Sequence, residues 1–134
     1  MCKWKINSLL FWLLLVLLTV IPLATSLAAE GDFVIDENGV LTKYNGWQRY
    51  VVIPEGVTAI GNNAFKNNDK IVRVTMTDNV KSIGDQAFYD CDNLYVCELS
   101  NNLESIGYNA FYSCDSLSSV VMPDTVNYLG GWAY

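Results

Sequence analysis

The stretch Val57–Phe65 reads Val-Thr-Ala-Ile-Gly-Asn-Asn-Ala-Phe, and it decides the fold because it recurs along the chain. Close copies occupy Val80–Phe88 and Leu103–Phe111, and a diverged copy occupies Val126–Tyr134. The glycines of the four copies follow one another at a constant step of 23 residues, at Gly61, Gly84, Gly107 and Gly130. A fixed period of roughly 20–50 residues is typical of a solenoid, in which each repeat forms one coil.

Residues 50–54 and their equivalents predict a short strand at the same place in every coil. Apolar side chains fill two alternate columns, Val51, Val74, Cys97 and Val120, then Ile53, Met76, Leu99 and Met122. Alternation with a period of two is typical of a strand with one buried face. The columns between them are predicted to face outward, side by side on one parallel sheet: Tyr50, Arg73, Val96 and Ser119, then Val52, Thr75, Glu98 and Val121. Pro54 and Pro123 are expected to end their strands, since proline has no amide proton for a ladder.

The rest of each coil contains a second apolar side and an outer turn. In the first copy Val57 and Ile60 are expected to point inward, and Gly61 either adopts a positive φ or packs backbone against backbone. The pair Ala64-Phe65 predicts a helical turn on the outer face, with the phenylalanines of successive coils stacked in the core. The predicted fold is an α/β repeat solenoid, a right-handed superhelix with short parallel strands and one helical turn per 23-residue coil.

The repeats are predicted to occupy residues 50–134, about three and a half coils, and a cap is predicted before them. Residues 30–49 are expected to form an N-terminal β-hairpin, because Asn38-Gly39 is a strong hairpin signal between two apolar runs. Such a cap covers the core of the first coil, which would otherwise be exposed to water.

Residues 1–29 have the composition of a secretory signal peptide. Two lysines come before the apolar run Leu9–Leu23, and small residues follow it. We expect cleavage after Ala28 or Ala29, which predicts a secreted or cell-surface protein. The alternative is an uncleaved membrane anchor, which needs about 20 apolar residues. The run here spans 15 residues and includes Pro22, which favours the cleaved signal.

The charge and residue content exclude several classes of function. The whole chain has 8 basic and 14 acidic residues, a net charge of −6, and removing the two leader lysines leaves 6 against 14, or −8. Such an acidic chain disfavours nucleic acid and anionic membranes, so we expect membrane contact only through the N-terminal segment. The absence of histidine excludes catalytic or zinc sites built on that residue. No catalytic motif is visible, so we expect neither an enzyme nor a cofactor.

Two columns of polar residues leave more than one interpretation open. Cys91 and Cys114 share a column with Asn68, which favours hydrogen bonding from inside the coil to a turn carbonyl. A disulfide between the two cysteines is the alternative, and a metal-binding or catalytic thiol is a third. The next column is acidic and consists of Asp69, Asp92 and Asp115. We interpret these residues as turn aspartates that bond their own backbone, with a calcium site as the alternative.

The motif Leu-x-x-Ile-Gly-x-x-Ala-Phe-x-x-Cys that ends at Cys114 resembles the BspA-like subclass of leucine-rich repeats, and the likeness covers residues 50–134. The resemblance implies a secreted or cell-surface protein of bacteria or protists, with several relatives acting as adhesins that bind host or matrix proteins. The last coil departs from the pattern, because it stops at Trp132-Ala133-Tyr134. We expect either that the chain is a fragment, or that this end is covered by a partner or frays.

The outward strand columns are the predicted protein-binding residues. Tyr50, Val52, Val96 and Val121 are more apolar than a solvated face requires, which favours binding. We therefore expect a non-enzymatic binding or adhesion module for an extracellular or surface protein. The alternative is a structural repeat fragment without its own ligand, which self-associates through its uncapped C-terminal coil or packs on a longer array.

Overall fold

The computed structural model describes residues 30–118 and 120–134. The predicted signal segment and Ser119, one of the predicted binding residues, lie outside the described residues. The described part begins with a 3₁₀ turn, Glu30–Asp32, and continues with strands β1 Phe33–Ile35, β2 Val40–Tyr44, β3 Tyr50–Val52, β4 Ala59–Ile60, β5 Arg73–Thr75, β6 Ser82–Ile83, β7 Val96–Glu98, β8 Ser105–Ile106 and β9 Tyr128–Leu129. No helix in this part of the chain is long and apolar enough to span a membrane.

The described strands form two sheets, because each coil contributes strands at two places. One sheet has six strands in the order β1-β2-β4-β6-β8-β9, and the other has three in the order β3-β5-β7. The pairs are parallel except for the antiparallel hairpin β1-β2. Ile60 pairs with Ile83, which pairs with Ile106, so the 23-residue sequence step is the step of one coil. The fold is a β-solenoid of about four turns, which confirms the predicted repeat architecture.

The core contains the predicted ladder of aromatic rings. The ring centroid of Phe65 lies 4.8 Å from that of Phe88, and the centroid of Phe88 lies 5.1 Å from that of Phe111, with nearly parallel ring planes in both pairs. Tyr44 continues the ladder at the N-terminal end and Tyr134 continues it at the other, with ring centroids 5.1 and 5.4 Å from their neighbours. Offset contacts of this kind add about 0.5–1.5 kcal/mol per pair to the burial of the rings. The inward placement of the phenylalanines is therefore confirmed.

The predicted helical turn on the outer face is not found in the part of the chain that the structure describes. In the first repeat Asn63 and Asn67 have φ angles of 60° and 59°, values outside the range of a right-handed helix. The backbone N–H of Phe65, between them, donates 2.8 Å to the carbonyl of Ala87 in the next coil. The segment is thus a series of turns in which alternate amides bond along the solenoid axis and the amides between them bond within the same coil. A helix would use those amides within its own coil, so stacking and helix formation compete for the same donors.

The constant spacing of glycine along the repeats reflects close packing of backbone on backbone. A Cβ placed on Gly107 would lie 2.6 Å from the backbone nitrogen of Asp85 and 2.6 Å from the carbonyl carbon of Gly84. In the described residues positive φ among glycines occurs at Gly39, outside this column. Of the two reasons predicted for the column, close stacking is therefore the correct one.

The predicted N-terminal hairpin is present as β1 and β2. Its turn contains Gly39 with φ 78°, and the Asp36 carboxylate accepts hydrogen bonds from the backbone nitrogens of Asn38 and Val40, both 2.9 Å long. Strand β2 then pairs in parallel with β4, so the hairpin continues the six-stranded sheet. The ring centroid of Phe33 lies 5.1 Å from that of Tyr44. Phe33 thus adds a ring to the N-terminal end of the aromatic ladder and covers that end.

Candidate functional site

Six of the eight predicted binding residues come together on the three-stranded sheet. We call their outward side the strand face, and it consists of Tyr50, Val52, Arg73, Thr75, Val96 and Glu98. The pairing places these residues in two rows across the coils, Tyr50–Arg73–Val96 and Val52–Thr75–Glu98. The residues between the rows, Val51, Val74 and Cys97, are buried, so the predicted alternation of inward and outward positions is confirmed.

Tyr50 and Val52 are the apolar part of the strand face. The Tyr50 side chain is 62% exposed and that of Val52 is 44% exposed, both on β3 next to the N-terminal hairpin. Val96, on β7, is half-buried. These three side chains present apolar area on a surface where the backbone is held by parallel ladders. The strand face is therefore apolar at one end and carries charge further along.

The charged part of the strand face is an internally bonded cluster. Arg73 Nη1 lies 3.2 Å from Glu98 Oε1, and Thr75 Oγ1 donates a 2.7 Å hydrogen bond to Glu98 Oε2. The sequence places these three residues in outward columns but does not predict that one carboxylate bridges the other two. Because Arg73 and Glu98 are each about half exposed, the pair contributes little to stability. Its main effect is to hold the Arg73 guanidinium in one orientation.

Val121 lies beside the strand face and not within it. Its side chain is 84% exposed, and in the described residues the fourth coil adds no strand next to β7. A cavity of about 290 Å³ opens between β7 and the segment 121–123. Its lining consists of Val96, Cys97, Glu98, Leu99, Asn101, Val121 and Pro123. Ser119, which the sequence places in the same strand, is outside the described residues.

A group of exposed residues at the N-terminal ends of these strands was not predicted as part of the site. Trp47 is 74% exposed and Tyr95 is 54% exposed, and Arg49 and Tyr95 directly precede β3 and β7. A second cavity, of about 460 Å³, is lined by Trp47, Arg49, Asp69, Lys70, Val72 and Asn93. The sequence signal was available, because Trp47 follows Asn45-Gly46, a pair typical of turns, and tryptophan is one of the residue types enriched in the energetic centres of protein interfaces.

The predicted hydrogen bonding from inside the coil to a backbone carbonyl is confirmed for the two cysteines of this column. Cys91 Sγ donates to the carbonyl of Phe65 at 3.1 Å, and Cys114 Sγ donates to the carbonyl of Phe88 at 3.0 Å. Cys91, Cys97 and Cys114 are free thiols in this structure. Asn68 behaves differently from the expectation, since its Oδ1 accepts from the backbone nitrogens of Lys70 and Ile71. The same column thus satisfies backbone donors in one coil and backbone acceptors in the next two.

The two thiols of this column also interact with each other. The neighbouring Cys114 thiol and burial raise the pKa of the Cys91 thiol, while the neighbouring Cys91 thiol lowers the pKa of the Cys114 thiol. Burial raises the pKa of Cys97 in a separate column of the core. Reactivity within the cysteine column is therefore expected to begin at Cys114, which is half-buried, and not at the fully buried Cys91.

The acidic column makes local contacts. Asp69 pairs with Lys70 at 2.8 Å, and this hydrogen bond lowers the pKa of the Asp69 carboxyl group. Within the described residues no group of three or more histidine, cysteine or acidic side chains is arranged to hold a metal ion. The column gives the calcium alternative no geometric support.

Comparison with known families identifies the repeat. The sequence profile described as "BspA type Leucine rich repeat region" matches residues 44–134. The chain belongs to this family. Its BspA-type repeats include all three strands of the strand face and both cavities beside them. A search of curated protein sequences gives no significant match.

Solved structures of bacterial leucine-rich-repeat proteins share the fold. A T. pallidum leucine-rich-repeat protein is 30% identical with a TM-score of 0.71, over 76% of this chain and 52% of the other. A Bacteroides capillosus protein is 34% identical with a TM-score of 0.66, over 76% of this chain and 86% of the other. A leucine-rich cell surface protein of Faecalibacterium prausnitzii is 27% identical with a TM-score of 0.66, over 78% of this chain and 32% of the other. This BspA-type chain thus spans about half the length of the T. pallidum protein that it matches.

Proposed function

We propose that this BspA-type repeat chain is a non-enzymatic binding module that binds an extracellular or cell-surface protein through the strand face. The observation that carries the proposal is the alignment of Tyr50, Arg73 and Val96 in one outward row across three coils. A row of side chains on paired strands is pre-organised. The scaffold therefore loses little conformational entropy when a partner docks on it. Membership of a repeat family typical of binding surfaces supports the same conclusion.

The chemistry of the strand face suits a protein partner. Tyrosine, tryptophan and arginine are the residue types that most often dominate the energy of protein interfaces. Tyr50 and Arg73 lie next to each other in the row, and Trp47 is exposed close by at the start of β3. The cluster of Arg73, Thr75 and Glu98 supplies a polar region with its hydrogen bonds already formed. The strand face thus places an apolar patch on β3 beside a polar cluster on β5 and β7, and protein interfaces combine apolar and polar contacts of this kind.

Location outside the cell is part of the proposal. The predicted signal segment, residues 1–29, supports export. One structural relative is described as a cell surface protein, which is consistent with the same location. Adhesion to a neighbouring cell or to extracellular matrix is the proposed role, since the strand face offers a rigid surface and the proposal assigns no chemical step to the chain.

The test compares two faces of the same molecule. Immobilised chain is incubated with solubilised extracellular matrix, and a retained protein is purified and titrated by biolayer interferometry. The variant Tyr50→Ala/Arg73→Ala is expected to weaken its affinity at least fivefold, about 1 kcal/mol. The matched control is Lys66→Ala/Tyr112→Ala on the outer turns, where Lys66 lies over the Tyr89 ring and Tyr112 stacks on it. Loss of binding in the control alone would place the binding surface on the outer turns and refute the proposal.

A second role is supported by the last coil. Leu129 is 53% exposed, whereas Ile60, Ile83 and Ile106 at the equivalent position are at most 2% exposed. A further repeat or a second copy of the chain would bury Leu129 and the neighbouring Tyr128. Size-exclusion chromatography with light scattering distinguishes this structural role, because self-association predicts a concentration-dependent dimer that Leu129→Lys dissolves.

A further inference from the structure

The two thiols of the cysteine column occupy equivalent positions in consecutive coils. Cys91 and Cys114 are 23 residues apart, which is the step of one coil. Their hydrogen-bond acceptors, the carbonyls of Phe65 and Phe88, are related by the same step. Each thiol therefore donates to the equivalent carbonyl one coil apart, and the two thiols occupy adjacent places in the cysteine column.

Backbone hydrogen bonds fix the separation of the two cysteines from both sides. Just before them, the N–H of Asp90 donates 2.9 Å to the carbonyl of Tyr112. Just after them, the N–H of Ser116 donates 3.2 Å to the carbonyl of Asp92. These segments are turns and not strands, but backbones linked by such hydrogen bonds lie about 5 Å apart, as neighbouring strands do. A disulfide requires Cα atoms about 4.4–6.8 Å apart, so the column already has the spacing that the bond needs.

We propose that Cys91 and Cys114 form a disulfide that staples two consecutive coils when the chain meets an oxidising small-molecule disulfide such as oxidised glutathione. Cys114 Sγ, as the thiolate, attacks one sulfur of oxidised glutathione, and one glutathione thiolate leaves. Cys91 Sγ then gives up its proton and attacks Cys114 Sγ, which releases the second glutathione. Two protein thiols are oxidised, one glutathione disulfide is reduced to two thiols, and the two protons pass to the released thiolates.

The order of these steps follows from the different surroundings of the two thiols. Cys114 is half-buried and accessible to a small disulfide, whereas Cys91 is fully buried. The lowered pKa of Cys114 supports its role as the attacking thiol. Cys91 occupies the adjacent place in the column, one coil before Cys114, so it is placed to resolve the mixed disulfide. Cys97 is buried in the strand column and serves as an internal control that is expected to stay reduced.

The staple encloses part of the strand face. The loop between Cys91 and Cys114 contains β7, which carries Val96 and Glu98. Closing this loop constrains the unfolded chain and restricts the separation of the second and third coils. Oxidation is therefore expected to stabilise the part of the solenoid that borders the 290 Å³ cavity, without a new contact on the strand face itself.

The test maps the disulfide directly. The full chain is equilibrated with reduced and oxidised glutathione at pH 8, alkylated, digested with chymotrypsin and analysed by mass spectrometry. Chymotrypsin suits this purpose because Tyr95 and Tyr112 lie between the cysteines and separate Cys91, Cys97 and Cys114 into different peptides. The expected result is one cross-linked pair joining the peptides of Cys91 and Cys114, with Cys97 alkylated, and with Cys2 alkylated where the N-terminal segment is retained. Alkylation of Cys91 and Cys114 at every redox ratio would overturn the proposal, as would pairing through Cys97 or a glutathione adduct on Cys114 that does not resolve.

A stability measurement keeps the test independent of peptide recovery. The thermal midpoint of the wild-type chain is expected to rise by at least about 5 °C on oxidation, since a loop of this length gives a sizeable entropic effect. The matched control Cys91→Ser/Cys114→Ser keeps donors toward both carbonyls and is expected to show no dependence on the redox buffer. A wild-type midpoint that does not change on oxidation would contradict the staple. This result leaves the proposed binding function untouched, because that function is tested on Tyr50 and Arg73.

Discussion

Phe88 and Phe111 stack with their ring centroids 5.1 Å apart and their planes inclined by only 1°. The relation repeats the one between Phe65 and Phe88, so the central ring has a neighbour on each face and is 0% exposed. In a solenoid each coil contacts only the coils beside it, and a defect in a middle coil therefore separates the ends. The stability of the whole array depends on Phe88.

Phe88→Ala is expected to reduce the free energy of unfolding by about 3–5 kcal/mol, because it removes a buried ring and leaves a cavity. Urea denaturation followed by circular dichroism measures the change. Cys91→Ser is the control, since serine retains a donor for the Phe65 carbonyl, and it is expected to cost much less. Equal and small losses in the two variants would show that the ring does not support the core.

Gly107→Ala is expected to destabilise the chain by about 1–3 kcal/mol through overpacking between coils. The added Cβ would lie 2.6 Å from backbone atoms of the preceding coil, and backbone cannot move aside as a flexible side chain does. Gly56→Ala is the matched control, because a Cβ there has no other atom within 4 Å. Its unfolding free energy is expected to stay within about 0.5 kcal/mol of the wild type. An equal effect at both glycines in the same urea experiment would refute close stacking as the reason for the column.

Glu98→Ala is expected to change stability by less than about 1 kcal/mol while weakening the binding of the proposed partner. The Arg73–Glu98 pair is exposed to solvent, so its net contribution to folding is small, but its loss frees the guanidinium to adopt other rotamers. Glu104→Ala is the control, since it removes the similarly exposed pair with Lys81 away from the strand face. Urea denaturation and the binding titration are measured for both variants. If Glu104→Ala weakens binding as much as Glu98→Ala, the orienting role of Glu98 is wrong.

Stability is expected to fall as the pH rises from about 10 to about 12, in part because of Tyr134. Burial raises the pKa of this residue to about 12 from its ordinary value of 10.0. Above pH 10 the unfolded chain loses the phenolic proton while the folded chain retains it, so the unfolded state is favoured until both have ionised. Tyr134→Phe removes the effect and keeps the ring stacked on Phe111. Urea midpoints at pH 9 and pH 11.5 under reducing conditions should differ less for Tyr134→Phe than for the wild type, and equal differences would count against this assignment.

The sequence alone determined the architecture, because the inward and outward positions follow from local periodicity that recurs at a fixed step. Val51, Val74 and Cys97 could be assigned to the core and Tyr50 and Arg73 to the surface without knowledge of any contact. The phenylalanine ladder followed from the same argument, since equal spacing in an in-register stack brings equivalent residues together.

The tertiary structure decided the path of the outer turns and the bonding within the strand face. The outer turns are not helical because the amide of Phe65 bonds to Ala87 in the next coil, and a competition between local and inter-coil acceptors cannot be read from Ala64-Phe65 alone. Likewise, the bridge from Glu98 to Arg73 and Thr75 depends on rotamers that form only after the two coils that carry these residues have stacked. Periodicity determines which side of the chain a residue faces, whereas the partner that it finds there is determined by packing between coils.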